Sequence, residues 1–145
     1  STEGEFFVLN GEWKDGDEIV IAFTASVEAV PAADHTKAVR RGPLLYALNI
    51  PARNHRTREY QVEGLYDVDW VPDDDKLWNY TMQIKTAAAD LGFSVRRNHS
   101  SYPWSTPAVE LETEMLNAYA WPERVALVPI GCTILRKTCF PYVQY

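Results

Sequence analysis

The sequence predicts an all-β domain: an antiparallel two-sheet β-sandwich of jelly-roll type, with little helix. Three observations carry that expectation. Turn residues recur at intervals of about ten residues, and the segments between them alternate or run apolar, as in a sandwich or barrel. Apolar spacing at the helical period of 3.6 is almost absent. Aromatic side chains are dense, with five Trp, eight Tyr and five Phe in 145 residues, and such side chains favour the pleated surface.

Residues 6–13 read as a first strand, bent at Asn10-Gly11. Asp15-Gly16 is a hairpin turn, since Gly accepts the positive φ that such turns require. Ile19-Val20-Ile21-Ala22-Phe23 is the return strand, β-branched and apolar. Pro31-Ala32-Ala33-Asp34 is a loop, followed by Ala38-Val39 and a strand over 40–50. In Arg40-Arg41-Gly42-Pro43-Leu44-Leu45-Tyr46-Ala47-Leu48 a Gly-Pro corner opens into an unbroken apolar run. Pro43 has no N–H and a fixed φ, which suits the start of a strand. The run after it reads as a strand buried on both faces.

Residues 51–76 show the least pattern, basic through Arg53, His55, Arg56 and Arg58 and acidic at Asp73-Asp74-Asp75. Alternation returns at 77–84, where Trp78, Tyr80, Met82 and Ile84 share a face. Ala87-Ala88-Ala89-Asp90-Leu91 reads as one helical turn ended by Gly92. Residues 93–97 form a further strand. Tyr102-Pro103-Trp104-Ser105-Thr106-Pro107 is a loop stiffened by two prolines. Val109, Leu111, Thr113 and Met115 alternate with Glu110, Glu112 and Glu114, the clearest half-exposed strand. Strands over 125–129 and 132–140 complete the chain. The expected core joins Leu44, Tyr46, Leu48, Ile19, Ile21, Val109, Leu111 and Leu127, with Leu45 also buried.

At 145 residues the chain makes a single domain, residues 1–145, able to bury roughly two thirds of its unfolded surface. A hydrophobic content of 46% excludes disorder. The net charge of −6 argues against nucleic acid, which calls for a concentrated basic face. No apolar stretch approaches the roughly 20 residues of a membrane helix, so no membrane partner is expected. The chain opens on Ser1-Thr2-Glu3-Gly4 without an initiator Met, and is expected to be a piece of a larger protein.

Chemistry-bearing patterns are sparse. His35, His55 and His99 lie far apart, and no Cys-x-x-Cys or His-x-x-x-His occurs, so neither a metal nor any other cofactor is expected. The triplet at 73–75 lacks the spacing and Gly of a calcium loop and reads as a solvated turn. No Gly-x-Ser-x-Gly elbow and no phosphate-cradling Gly loop is present. Gly131-Cys132-Thr133 has apolar flanks and no neighbouring His, which favours a buried structural thiol. Seven extended residues separate Cys132 from Cys139 by roughly 23 Å, beyond disulfide reach. Free thiols are expected. The compartment stays open, with the periplasmic or extracellular side favoured. Glu110, Glu112 and Glu114 read as the wet face of a sheet rather than as a glycosidase pair. No catalytic residue is therefore assigned.

Aromatic side chains offer the one binding signature. Trp and Tyr rings stack on sugars, and sites on sandwiches sit in loops. Tyr102 and Trp104 are the leading carbohydrate-binding candidates, with Trp70 and Trp121 behind them. Packing in a core or against another domain is the competing reading for all four.

Three blocks resemble the C-terminal region of bacterial β-L-arabinofuranosidase-type glycoside hydrolases (glycoside hydrolase family 127 and its relatives). They are Glu12-Trp13-Lys14-Asp15-Gly16-Asp17-Glu18-Ile19, then Val39-Arg40-Arg41-Gly42-Pro43-Leu44-Leu45-Tyr46-Ala47-Leu48, then Val125-Ala126-Leu127-Val128-Pro129-Ile130-Gly131-Cys132-Thr133-Ile134-Leu135-Arg136 with Thr138 and Phe140-Pro141. Ile130 departs from the Tyr common in similar sequences. In such enzymes an (α/α)6-type barrel carries catalysis and β-sandwich domains follow it. Their nucleophile is a zinc-held cysteine, paired with a glutamate in or beside the barrel. Cys132 and Cys139 match neither motif.

The resemblance implies a non-catalytic accessory domain, not an enzyme by itself, whose partner is the catalytic domain of the same parent chain. Arg40 and Arg41 are the expected interdomain contacts. One should be anchored within the domain and the other exposed on the face that meets the barrel. The alternative reading is a carbohydrate-binding module for plant arabinose-containing polysaccharides or oligosaccharides.

Overall fold

The structure is a computed structural model that describes residue 6, residues 8–85 and residues 91–145. It is all-β, with two short 3-10 turns. The strands are β1 Val27–Pro31, β2 Lys37–Arg41, β3 Leu44–Ile50, β4 Ala52–Glu59, β5 Tyr66–Pro72, β6 Thr81–Ile84, β7 Ser94–Arg97, β8 Val109–Leu116, β9 Pro122–Pro129, β10 Leu135–Lys137, β11 Cys139–Phe140 and β12 Tyr142–Gln144.

One sheet carries ten of them, seven along the path β1-β2-β3-β9-β8-β6-β12 and three beside it. β7 lies beside β8, and β10 and β11 fill the cleft where β2 and β3 diverge, β10 on β3 and β11 on β2. The C-terminal run therefore touches β2 near one end of the path and β6 at the other. Between the two contacts sits Pro141, whose carbonyl accepts from Met82 N at 2.8 Å. The sheet is curled over on itself, so the two layers expected from the sequence are two halves of one sheet. β6 and β12 are the one parallel pair among the described strands.

Alternation places one face of each strand in the interior. Val39, Tyr46, Leu48, Leu111, Met115, Leu127 and Phe140 fill that interior together with Ile50, Tyr80, Met82 and Val125. β3 is buried on both faces only at its centre, over Tyr46-Ala47-Leu48, where β2, β9 and β10 flank it. Leu44 and Leu45, expected inside, are 49% and 39% exposed, because they sit at the hairpin mouth where sheet cover ends. The strand expected over 40–50 is two strands. Gly42 takes φ +56° and Pro43 completes a two-residue turn, so Arg41 faces Leu44 in register.

Two further corrections concern regions 6–26 and 51–76. Among the described residues, the strands expected at 6–13 and 19–23 do not form. The Asp15-Gly16 turn does, with Gly16 at φ +90° and Asp17 N bonding Lys14 O at 3.1 Å, but its arms find no sheet partner. Ile19 and Ile21 are 55% and 71% exposed instead of lying in the core. Their β-propensity is real, but a strand forms only where an edge and a packing face are available.

Residues 51–76, which carry no readable pattern, hold the regular ribbon β4-β5, leaving the sheet at Pro51 and returning at Pro72. Both faces are wet, so no apolar alternation marks it. Cross-strand contacts hold it: Arg56 lies 4.0 Å from the Tyr66 ring centroid, Tyr60 Oη donates to Asp67 at 2.8 Å, and Arg53 pairs with Asp73 at 2.8 Å. Asp74 caps the first 3-10 turn by accepting from Lys76 N. The helical turn expected at Ala87-Ala88-Ala89-Asp90-Leu91 lies outside the described residues, except for Leu91.

Candidate functional site: an apolar cleft beside Arg41

The loop between β7 and β8 is tied down at its base by Asn98. Its backbone N bonds Ala108 O at 2.9 Å, and its side-chain amide donates to Pro107 O at 3.1 Å and Glu110 Oε1 at 3.0 Å. At its tip Ser105 N and Thr106 N both bond Tyr102 O, turning the chain tightly around Pro103-Trp104. The indole of Trp104 then lies on Gly131, in the 3-10 turn that follows β9. A Cβ at Gly131 would sit 2.8 Å from the Trp104 ring, so only Gly allows this approach.

Beneath and beside the indole opens a cleft of about 290 Å3. Leu44, Pro103, Val109, Pro129 and Ile130 line it with apolar surface, and Arg41 and Tyr46 reach it from β2 and β3. The Tyr46 phenol is pushed above its usual range by burial, against the opposing pull of the Arg41 charge. Cys132 donates its thiol to Pro103 O at 3.0 Å, and burial raises its pKa. A thiol held protonated in this way is a poor nucleophile. Both cysteines are free.

Arg40 and Arg41 behave differently from each other. Arg40, on the outer face of β2, pairs with Glu28 directly across on β1 at 2.7 Å. That hydrogen bond, then Ser26, holds the Glu28 carboxyl below its usual range. Arg41 turns to the opposite side, is half-buried, and has no carboxylate partner among the described residues. Its Nε is sealed from solvent without an acceptor. The pair is asymmetric, but the arginine held by a carboxylate is the outward one, and the one without a carboxylate among the described residues faces the cleft.

The four candidate aromatics are spread over three elements. Trp104 walls the cleft and Tyr102 shares its loop, 63% and 61% exposed. Trp70 lies on β5 of the ribbon. Trp121, in the β8-β9 turn, is 5.7 Å from Tyr119, whose ring and hydroxyl engage Lys76. The structure thus joins Trp104 to Arg41 and leaves Trp70 and Trp121 elsewhere. The part of Tyr46, Gly131 and Pro129 in the cleft was missed, because nothing local in sequence brings the β7-β8 loop onto the turn after β9.

Glu110, Glu112 and Glu114 are less wet than expected. Glu110 and Glu112 are half-buried in an ion-pair ladder with Arg96 and Arg124 from the flanking strands, and Glu114 alone is exposed. Carboxylates consumed by guanidiniums are poorly placed for acid–base exchange. No group of three or more metal-binding side chains occurs among the described residues.

The class defined by this geometry is an all-β domain with an apolar, arginine-edged cleft. No protein-family model, characterised protein or solved structure matches the chain.

Proposed function

We propose that this chain is a non-catalytic accessory domain of a glycoside hydrolase, docking on an (α/α)6 catalytic barrel. The observation that carries the reading is the segment before β1. Val20, Ile21 and Phe23 are 86%, 71% and 89% exposed. Phe6, Val8 and Trp13 are exposed as well. Exposed apolar side chains gathered in one segment that has no sheet partner suit a position inside a larger assembly, and apolar surface of that kind marks an interface. The three sequence blocks supply the class of partner.

The test mixes the purified chain with the catalytic barrel of a β-L-arabinofuranosidase-type hydrolase and reads sedimentation. A one-to-one complex is expected, lost when Ile19, Ile21 and Phe23 are replaced together by Ser. None of the three lies in the core, so the variant keeps its fold. Failure of the wild-type chain to associate overturns the docking reading. Turnover of aryl arabinosides by the pure chain would overturn its non-catalytic part.

A second reading, a carbohydrate-binding module, is favoured by the exposure of Tyr102 and Trp104 on one rigid loop. Calorimetry against arabinan and arabinogalactan separates the two, since a module of this kind shows saturable heat at millimolar sugar.

A further inference from the structure

Arg41 is the one arginine among the described residues with a buried side-chain nitrogen that lacks a hydrogen-bond partner. Arg40, Arg53, Arg96 and Arg124 each hold a carboxylate. Arg41 holds none among the described residues, and its Nε is both sealed from water and unbonded. A guanidinium N–H sealed from water without an acceptor is costly, so such a group marks a place for an anion. The guanidinium fork favours a planar, two-oxygen one.

The rest of the cleft limits what the anion is attached to. Leu44, Pro103, Pro129 and Ile130 give walls with few polar atoms, and Trp104 offers an indole 63% exposed. A sugar carries hydroxyls around its whole ring and would strand most of them here. Free phosphate would leave the apolar walls unused. A cleft of about 290 Å3 is at the small end for ligand sites and suits one ring with a short substituent.

We propose that this cleft binds a planar aromatic monocarboxylate, its ring against Trp104 and its carboxylate on the Arg41 guanidinium. Tyr46 steadies that guanidinium, and Gly131 lets the indole lie close enough to form the wall. The site is independent of the docking arm, whose triple Ser variant leaves every cleft residue in place.

The test titrates the full chain with benzoate and with 4-hydroxycinnamate while recording the indole N–H resonances of its five tryptophans. The resonance missing from Trp104→Ala identifies the reporter. The expected result is a saturable shift of that resonance with either carboxylate. Affinity should fall about tenfold or more for the matching neutral amides, and similarly in Arg41→Gln. Should Arg41→Gln fail to fold, the acid–amide comparison on the wild-type chain reads the same interaction. No saturation up to about 10 mM, equal binding of acid and amide, or tighter binding of galacturonate than of either aromatic acid would each overturn the proposal.

Discussion

Gly131 and Trp104 show how a single missing Cβ shapes a surface. The indole can approach the turn after β9 this closely only because nothing projects from Gly131. Gly131→Ala should lift the ring, seen as a red-shifted, more quenchable Trp emission, while the urea midpoint moves little because the contact is at the surface. An unchanged spectrum would mean that the ring is not seated there. Tyr46 makes a second residue-scale prediction. Burial, with a lesser opposing effect from Arg41, raises its phenol above 10.0, and burial does the same for Tyr80. The unfolded chain therefore loses these protons first. Stability is fully present below pH 10 and declines as pH rises through the folded-state values. In Tyr46→Phe the alkaline decline should be shallower, measured by urea unfolding across pH 9–11.

At the scale of elements, legibility followed packing. β8 was readable because one face is core and the other wet, so its alternation of Leu111, Thr113 and Met115 with glutamates is written in the sequence. β4 and β5 were not, since a ribbon wet on both faces needs no apolar period, only cross-strand pairs such as Arg56 with Tyr66. The arm at 19–23 failed in the opposite direction: it has the composition of a buried strand and pairs with no described strand. Likewise the split at Gly42-Pro43 turned one expected strand into two. The cleft was half legible, as Trp104 and Arg41 were singled out separately and only the fold joins them. β3 supplies the element-scale prediction. Leu48→Ala should cost about 2–5 kcal/mol, since its side chain is buried among the core strands. Leu45→Ala, three residues earlier and 39% exposed, should cost less than about 1 kcal/mol. Equal losses in chemical denaturation would contradict the exposure of the hairpin mouth.

For the molecule as a whole, closure depends on its last ten residues. Without that run the start of β2, where β3 has diverged from it, and the outer side of β6 would be unpaired. The C-terminal run covers both, with β11 on β2 and β12 parallel to β6. Phe140 sits at the junction with no exposed surface and packs into the same core as Val39, Met82 and Leu127. Removing its ring leaves a large cavity where the two halves of the sheet meet, and a gap there weakens both halves at once. Phe140→Ala should therefore cost about 3–5 kcal/mol, a large share of the 5–15 kcal/mol typical of a domain. Val143, three residues beyond Phe140 yet 42% exposed on β12, provides the contrast. Its replacement by Ser should change stability by less than about 1 kcal/mol. Urea unfolding of both variants checks the pair, and a Phe140→Ala protein as stable as the wild type would show that the sheet closes without it.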